Sequence, residues 1–164
     1  MVGIADLTVE ADLILGPGPR PWSEAWAVLE QAFEDIEALY RDGDQTVGQY
    51  DVIKIVNNFM VNCYHLKDHL RSDLNVPEPV RSGVEKFVKS NDSLALTGDV
   101  ANTAKHRERR PAERYARVGE VLSGPEAVIH WTDPNGNTVR QDARELAQAA
   151  MHEWRTYLQT HGLI

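Results

Sequence analysis

The sequence predicts a mainly α protein: a helical bundle of about five helices with a β-hairpin before the C-terminal helix. Three observations carry this expectation. Apolar residues recur at three- and four-residue steps through most of the chain, and Pro, Gly, Asn and Asp fall between those periodic stretches. At about residues 127–141 the helical period gives way to two short β-rich runs flanking Asp133-Pro134-Asn135-Gly136-Asn137. A length of 164 residues suits one domain. Residues 1–21 read as a lead-in segment and 22–164 as a single helical domain.

Each element has its own signal. The run Gly16-Pro17-Gly18-Pro19-Arg20-Pro21 forbids a continuous helix, and Pro21 or Trp22 opens the first one. Trp22, Trp26, Leu29, Phe33, Ile36 and Tyr40 form its apolar stripe, and Asp42-Gly43-Asp44 stops it. The second helix runs from about Val47 to Arg71, with Val52, Ile55, Val56, Phe59, Met60, Cys63, Leu66 and Leu70 on one side. Asn58, Asn62, His65, Asp68 and His69 occupy the other side, in place of the Lys and Glu of a merely solvated face.

Pro77 and Pro79 separate a third helix, roughly Glu78 to Lys89, whose inward set is Val80, Val84, Phe87 and Val88. Asn91, Asp92 or Ser93 offers a cap for a fourth, reaching to about Arg110 before Pro111. Leu96, Val100, Ala101 and Ala104 line one side of it; Asp99, Asn102, Thr103 and His106 line another. Ala127 to Thr132 and Thr138 to Gln141 make the hairpin. The closing helix, about Asp142 to Gln159, repeats Ala143, Ala147, Ala150, Trp154 and Tyr157, widened by Leu146, Met151 and Leu158.

A formal charge of -8 and a sequence pI of about 5.2 oppose broad, non-specific binding to nucleic acid or to an anionic membrane. The charge is uneven. Between Lys105 and Arg117 six basic residues face two acidic ones, a local charge of +4 in a chain whose remainder carries -12. The single cysteine, Cys63, excludes an intramolecular disulfide and points to a reducing cytoplasm. Asp6, Glu10 and Asp12 interrupt Ile4 to Leu15, so no signal peptide is expected there, and no apolar run is long enough for a membrane span.

His65, Asp68 and His69 stand at i, i+3 and i+4, and Asp99, Asn102 and His106 at i, i+3 and i+7, so each set shares a helix face. If the two helices are neighbours, these faces place imidazoles, carboxylates and an amide in one cluster. A proton-handling site and a purely structural polar network both fit that pattern. A metal site competes for His65 and His69, with Asp68, Asp99 or His106 completing it. Lys67 and Lys105 would repel a divalent ion, and no glutamate stands between the two histidines, so no metal and no cofactor are expected. Lys105, Arg107, Arg109 and Arg110 suit phosphate, because each guanidinium is a planar fork of donors. Walker loops, nucleophile elbows, dinucleotide fingerprints and zinc ribbons are absent from the sequence.

The run Cys63-Tyr64-His65-Leu66-Lys67-Asp68-His69-Leu70, followed by Asp99-Val100-Ala101-Asn102-Thr103-Ala104-Lys105-His106, resembles a group of small, largely uncharacterised bacterial and phage-encoded HEPN-like helical proteins. More distantly it is similar to the HEPN superfamily of helical bundles. Those proteins are often dimers and include metal-independent ribonucleases of toxin-antitoxin and phage-defence systems. The resemblance implies an RNA-directed homodimer with His106 as acid/base and Asn102 and His65 orienting substrate or imidazole. Asp68 or Asp99 would fix a tautomer. Active members carry an Arg before the Asn, and here that position is Ala101. The departure implies either that Lys105 or Arg109 substitutes, or that the domain binds RNA or a nucleotide without cleaving. The alternative expectation is a non-enzymatic antitoxin- or immunity-type protein that meets a basic partner.

Overall fold

The computed structural model describes residues 21–42, 47–105, 116–121 and 127–164. Five helices and a three-stranded antiparallel sheet account for almost all of them. In chain order these are α1 (Trp22–Asp42), α2 (Gln49–Ser72), α3 (Glu78–Ser90), α4 (Asp92–Lys105), β1 (Ala116–Val121), β2 (Ala127–Thr132), β3 (Thr138–Asp142) and α5 (Ala143–Thr160). The expected mainly α architecture holds, with the hairpin before the last helix. Residues 1–20 of the expected lead-in, and the part of the fourth helix expected beyond Lys105, lie outside the described residues.

α2 is the centre of the bundle and packs against α1, α3, α4 and α5. Its stripe of Val52, Val56, Phe59, Met60, Cys63, Leu66 and Leu70 is buried throughout. Leu29 and Ile36 of α1, Val84 of α3, Leu94 and Val100 of α4, and Leu146, Met151, Trp154 and Leu158 of α5 close around it. Trp154 adds a directional contact, its indole N–H donating to the Cys63 carbonyl oxygen at 3.1 Å. An indole of this size buried in a core needs such an acceptor for its one polar atom.

Polar side chains fix where the elements begin. Asn91 Oδ1 accepts the Leu94 N–H at 3.1 Å and opens α4. Asp142 Oδ1 accepts the Glu145 N–H at 3.0 Å and opens α5. Asp73, just after α2, accepts the Trp22 N–H at 3.2 Å, so the end of one helix satisfies an orphan donor at the start of another.

The structure adds one strand and overturns one expectation. The hairpin is joined by a third strand, since Ala116–Val121 pairs with β2, giving a sheet ordered β1-β2-β3 with β2 in the middle. The register of β1 shifts between Val118 and Glu120, a bulge that breaks strict alternation and hides the strand among its charged neighbours. Gly119 sits at the bulge because a Cβ there would lie 2.5 Å from the His130 ring. In α4, Ala104 is exposed, and the buried side is formed by Leu94, Leu96, Thr97, Gly98, Val100 and Ala101.

Candidate functional site

The polar side of α2 does assemble a cluster, and it is centred on Asp68. His65 and Asp68 are one turn apart, and His65 Nδ1 lies 2.9 Å from Asp68 Oδ2. Lys67 Nζ donates to the other carboxylate oxygen, Oδ1, also at 2.9 Å. Adjacent residues on a helix point in different directions, so this contact depends on the reach of the lysine stem. Lys67 is only 7% exposed, an unusual position for an ammonium, and it is compensated from two helices. Glu85 of α3 stands 3.3 Å from Lys67 Nζ and 3.3 Å from Lys89 Nζ. Arg71 lies 3.8 Å from Asp68 and 3.9 Å from Glu85.

Burial is the largest influence on Asp68 and favours its neutral form, but hydrogen bonds from Lys67 and His65, reinforced by the Lys67 charge, hold the carboxyl below its ordinary range. Glu85 behaves in the same way under Lys67 and Lys89. Lys67 is pulled down by burial, yet the Asp68 hydrogen bond and charge, with Tyr64 and Glu85, keep it above its ordinary value. Asp68 is therefore a carboxylate at neutral pH. A carboxylate only accepts hydrogen bonds, so the proton of a neutral His65 sits on Nδ1 and the lone pair on Nε2.

Tyr64 joins this cluster to α4. Lys67 Nζ lies 4.5 Å from the centroid of its ring. The ring edge occupies the space over Gly98, where a Cβ would fall 2.6 Å from Tyr64 Cε2. A glycine is required for that close approach of α2 and α4. Asp99 and Asn102 follow on α4, both half-buried. The two helices that carry the polar stripes are thus neighbours, as the site requires.

His106, Arg107, Arg109 and Arg110 lie outside the described residues, as does the side chain of Lys105. Ala101, where the HEPN resemblance implies an arginine, is 1% exposed. Glu34 and Asp35 of α1 contact Arg41 at 2.6 Å and Gln31 at 3.0 Å, respectively. Among the described residues no three His, Cys, Asp or Glu side chains converge on a point where a metal ion could sit. Nor does any described helix have the length and apolarity to cross a membrane.

Sequence reading missed the roles of Lys67 and Glu85. Lys67 stood beside the motif but entered only as a charge that would repel a metal. Glu85 belongs to another helix, and nothing in its local spacing marks it as a partner of α2. Comparison with protein-family models, with curated proteins and with solved structures finds no match.

Proposed function

We propose that this chain is an RNA-directed, HEPN-like protein, a metal-independent ribonuclease or an RNA- or nucleotide-binding module derived from one, acting as a homodimer in toxin-antitoxin or phage defence. The observation that supports this reading is the 2.9 Å contact between His65 Nδ1 and Asp68 Oδ2. It gives a half-exposed imidazole an oriented lone pair on the helix next to the one that carries Asp99 and Asn102 and leads to His106. In this scheme His106 and His65 exchange protons with the ribose hydroxyl and the leaving oxygen. Asn102 orients the substrate and Asp99 supports an imidazole. Lys105, Arg107, Arg109 and Arg110 carry the phosphate charge that Ala101 leaves unanswered.

Incubation of the purified protein with RNA in EDTA tests the catalytic part. Cleavage that is lost on His106→Ala and falls at least about tenfold on His65→Ala is the expected result, since positioned acid-base groups typically contribute 10²–10⁴-fold. Equal cleavage by His106→Ala, or none by the unaltered protein, removes the catalytic claim. Salt-sensitive RNA binding without cleavage would leave the binding module.

One observation favours a second reading. Asp68, Lys67, Glu85, Arg71 and Lys89 compensate one another between α2 and α3, as a structural network does. A non-enzymatic antitoxin- or immunity-type subunit would use the acidic surface to meet a basic partner. Co-purification of a basic protein from the native host, with no RNA retained, would decide for it.

A further inference from the structure

Asp68 divides its two oxygens between two donors of different kinds. Oδ2 faces His65 Nδ1 and Oδ1 faces Lys67 Nζ, each at 2.9 Å. The lysine cannot accept a hydrogen bond, and it is held in place from three directions. Glu85 reaches it from α3, the Tyr64 ring lies beneath it, and the core beside it excludes water. Glu85 is itself fixed by Lys89. The direction of the Asp68 carboxylate is thus set by α3 through Lys67, whereas His65, on the helix surface, is the receiver of that direction.

We infer that Lys67 is a positioning residue for His65: by occupying Oδ1 of Asp68 it commits Oδ2 to Nδ1, and the carboxylate so placed leaves Nε2 as the proton-accepting atom. The use of that atom rests on the proposed proton-handling role, while the tautomer itself can be read without any substrate. A lysine that merely filled space between α2 and α3 would not choose which Asp68 side-chain atom faces His65, a choice that shows in the His65 tautomer once that side chain is an amide.

Replacing Asp68 by asparagine separates the two cases. The amide keeps the shape of the carboxylate but offers one acceptor oxygen and one NH₂ donor. Lys67, able only to donate, must take the oxygen, which turns the NH₂ toward His65 Nδ1 and drives the ring proton to Nε2. The experiment is ¹⁵N NMR of the His65 ring nitrogens above the imidazole titration range, assigned with His65→Gln. In the unaltered protein the Nδ1–H form should dominate. In Asp68→Asn the tautomer ratio should invert. It should remain inverted in Asp68→Asn/Lys67→Arg and lose the inversion in Asp68→Asn/Lys67→Met.

Retention of Nδ1–H in Asp68→Asn, with Lys67 present and the amide fingerprint of a folded chain, overturns the inference. So does an inversion that persists in the Lys67→Met background. If that double variant fails to fold, the Asp68→Asn spectrum and the Lys67→Arg rescue still decide. An inverted tautomer in a protein without RNA cleavage would sink the ribonuclease reading alone. Cleavage by the unaltered protein, with no inversion in Asp68→Asn, would sink only the role of Lys67.

Discussion

The Tyr40 hydroxyl donates to Asp142 Oδ2 at 2.8 Å across 102 positions of sequence, and it accepts the Ala127 N–H at 3.3 Å. One oxygen therefore ties the end of α1 to the first residue of β2 and to the residue that caps α5. Arg144 and Glu37 reinforce the junction through a two-pronged contact, at 3.1 and 2.8 Å. The sheet is anchored to the bundle here by polar geometry as well as by apolar packing.

Tyr40→Phe should lower stability by about 1–2 kcal/mol, because it leaves a strand N–H and a capping carboxylate short of a partner. The variant should also respond less to alkali. Burial, aided by the hydrogen bond to Asp142, raises the Tyr40 hydroxyl well above its ordinary value. The folded state thus prefers the neutral phenol more than the unfolded state does. That stability is complete below about pH 10, the ordinary tyrosine value, and is lost as pH rises toward the folded value. Urea midpoints measured from neutral pH upward should fall more steeply for the unaltered protein than for Tyr40→Phe; parallel curves would contradict the assignment.

The α2–α3 junction should fail at the other end of the scale. Asp68 and Glu85 are both held below the ordinary carboxylate range, burial notwithstanding, by Lys67 with His65 and Lys89 respectively. Groups shifted downward stabilise above their unfolded values and lose that contribution as pH falls through the folded ones. Stability should therefore drop below about pH 4. Glu85→Gln should be less stable at neutral pH and show a shallower acid decline, followed by urea denaturation at several pH values. An unchanged slope would show that Glu85 gains nothing from Lys67.

Gly98→Ala should be destabilising by about 1–3 kcal/mol, the usual cost of forcing extra atoms into a packed contact. Its methyl group would stand 2.6 and 2.7 Å from two carbons of the Tyr64 ring, and the ring cannot yield without disturbing Lys67, which lies 4.5 Å from its centroid. Denaturant unfolding measures the loss. The tighter check is Gly98→Ala in a Tyr64→Leu background, where the penalty should shrink by at least half; full persistence would place the strain elsewhere.

The parts of the fold that were legible in the sequence are those whose signals are local. The stripes from Trp22 to Tyr40 and from Val52 to Leu70 repeat long enough to define a face, and Asn91 and Asp142 mark helix starts that capping predicts. β1 was not legible, because its bulge at Gly119 ends the alternation after three residues and its flanks are charged. At the candidate site, His65 and Asp68 were visible as an i, i+3 pair. The functions of Lys67 and Gly98 were not, since each depends on which helix lies opposite. A lone buried lysine or glycine has no period to announce it.

Cys63 provides a probe of the whole bundle. Its side chain is fully buried at the centre of α2, and its carbonyl receives the Trp154 indole. Burial pushes the thiol up to about 12, with Thr97 and Trp154 moderating the rise. The thiolate is the reactive form, so the native thiol is doubly protected, by enclosure and by protonation. At neutral pH a maleimide or disulfide reagent should leave the folded protein unmodified over a time in which the urea-unfolded chain reacts completely. The modification rate in water should then follow the population of the globally opened state, and its logarithm should rise in Gly98→Ala and Tyr40→Phe in proportion to their loss of stability. Rapid labelling of the folded protein would mean that α2 and α5 separate without global unfolding, and the Trp154 contact would then not hold the core closed.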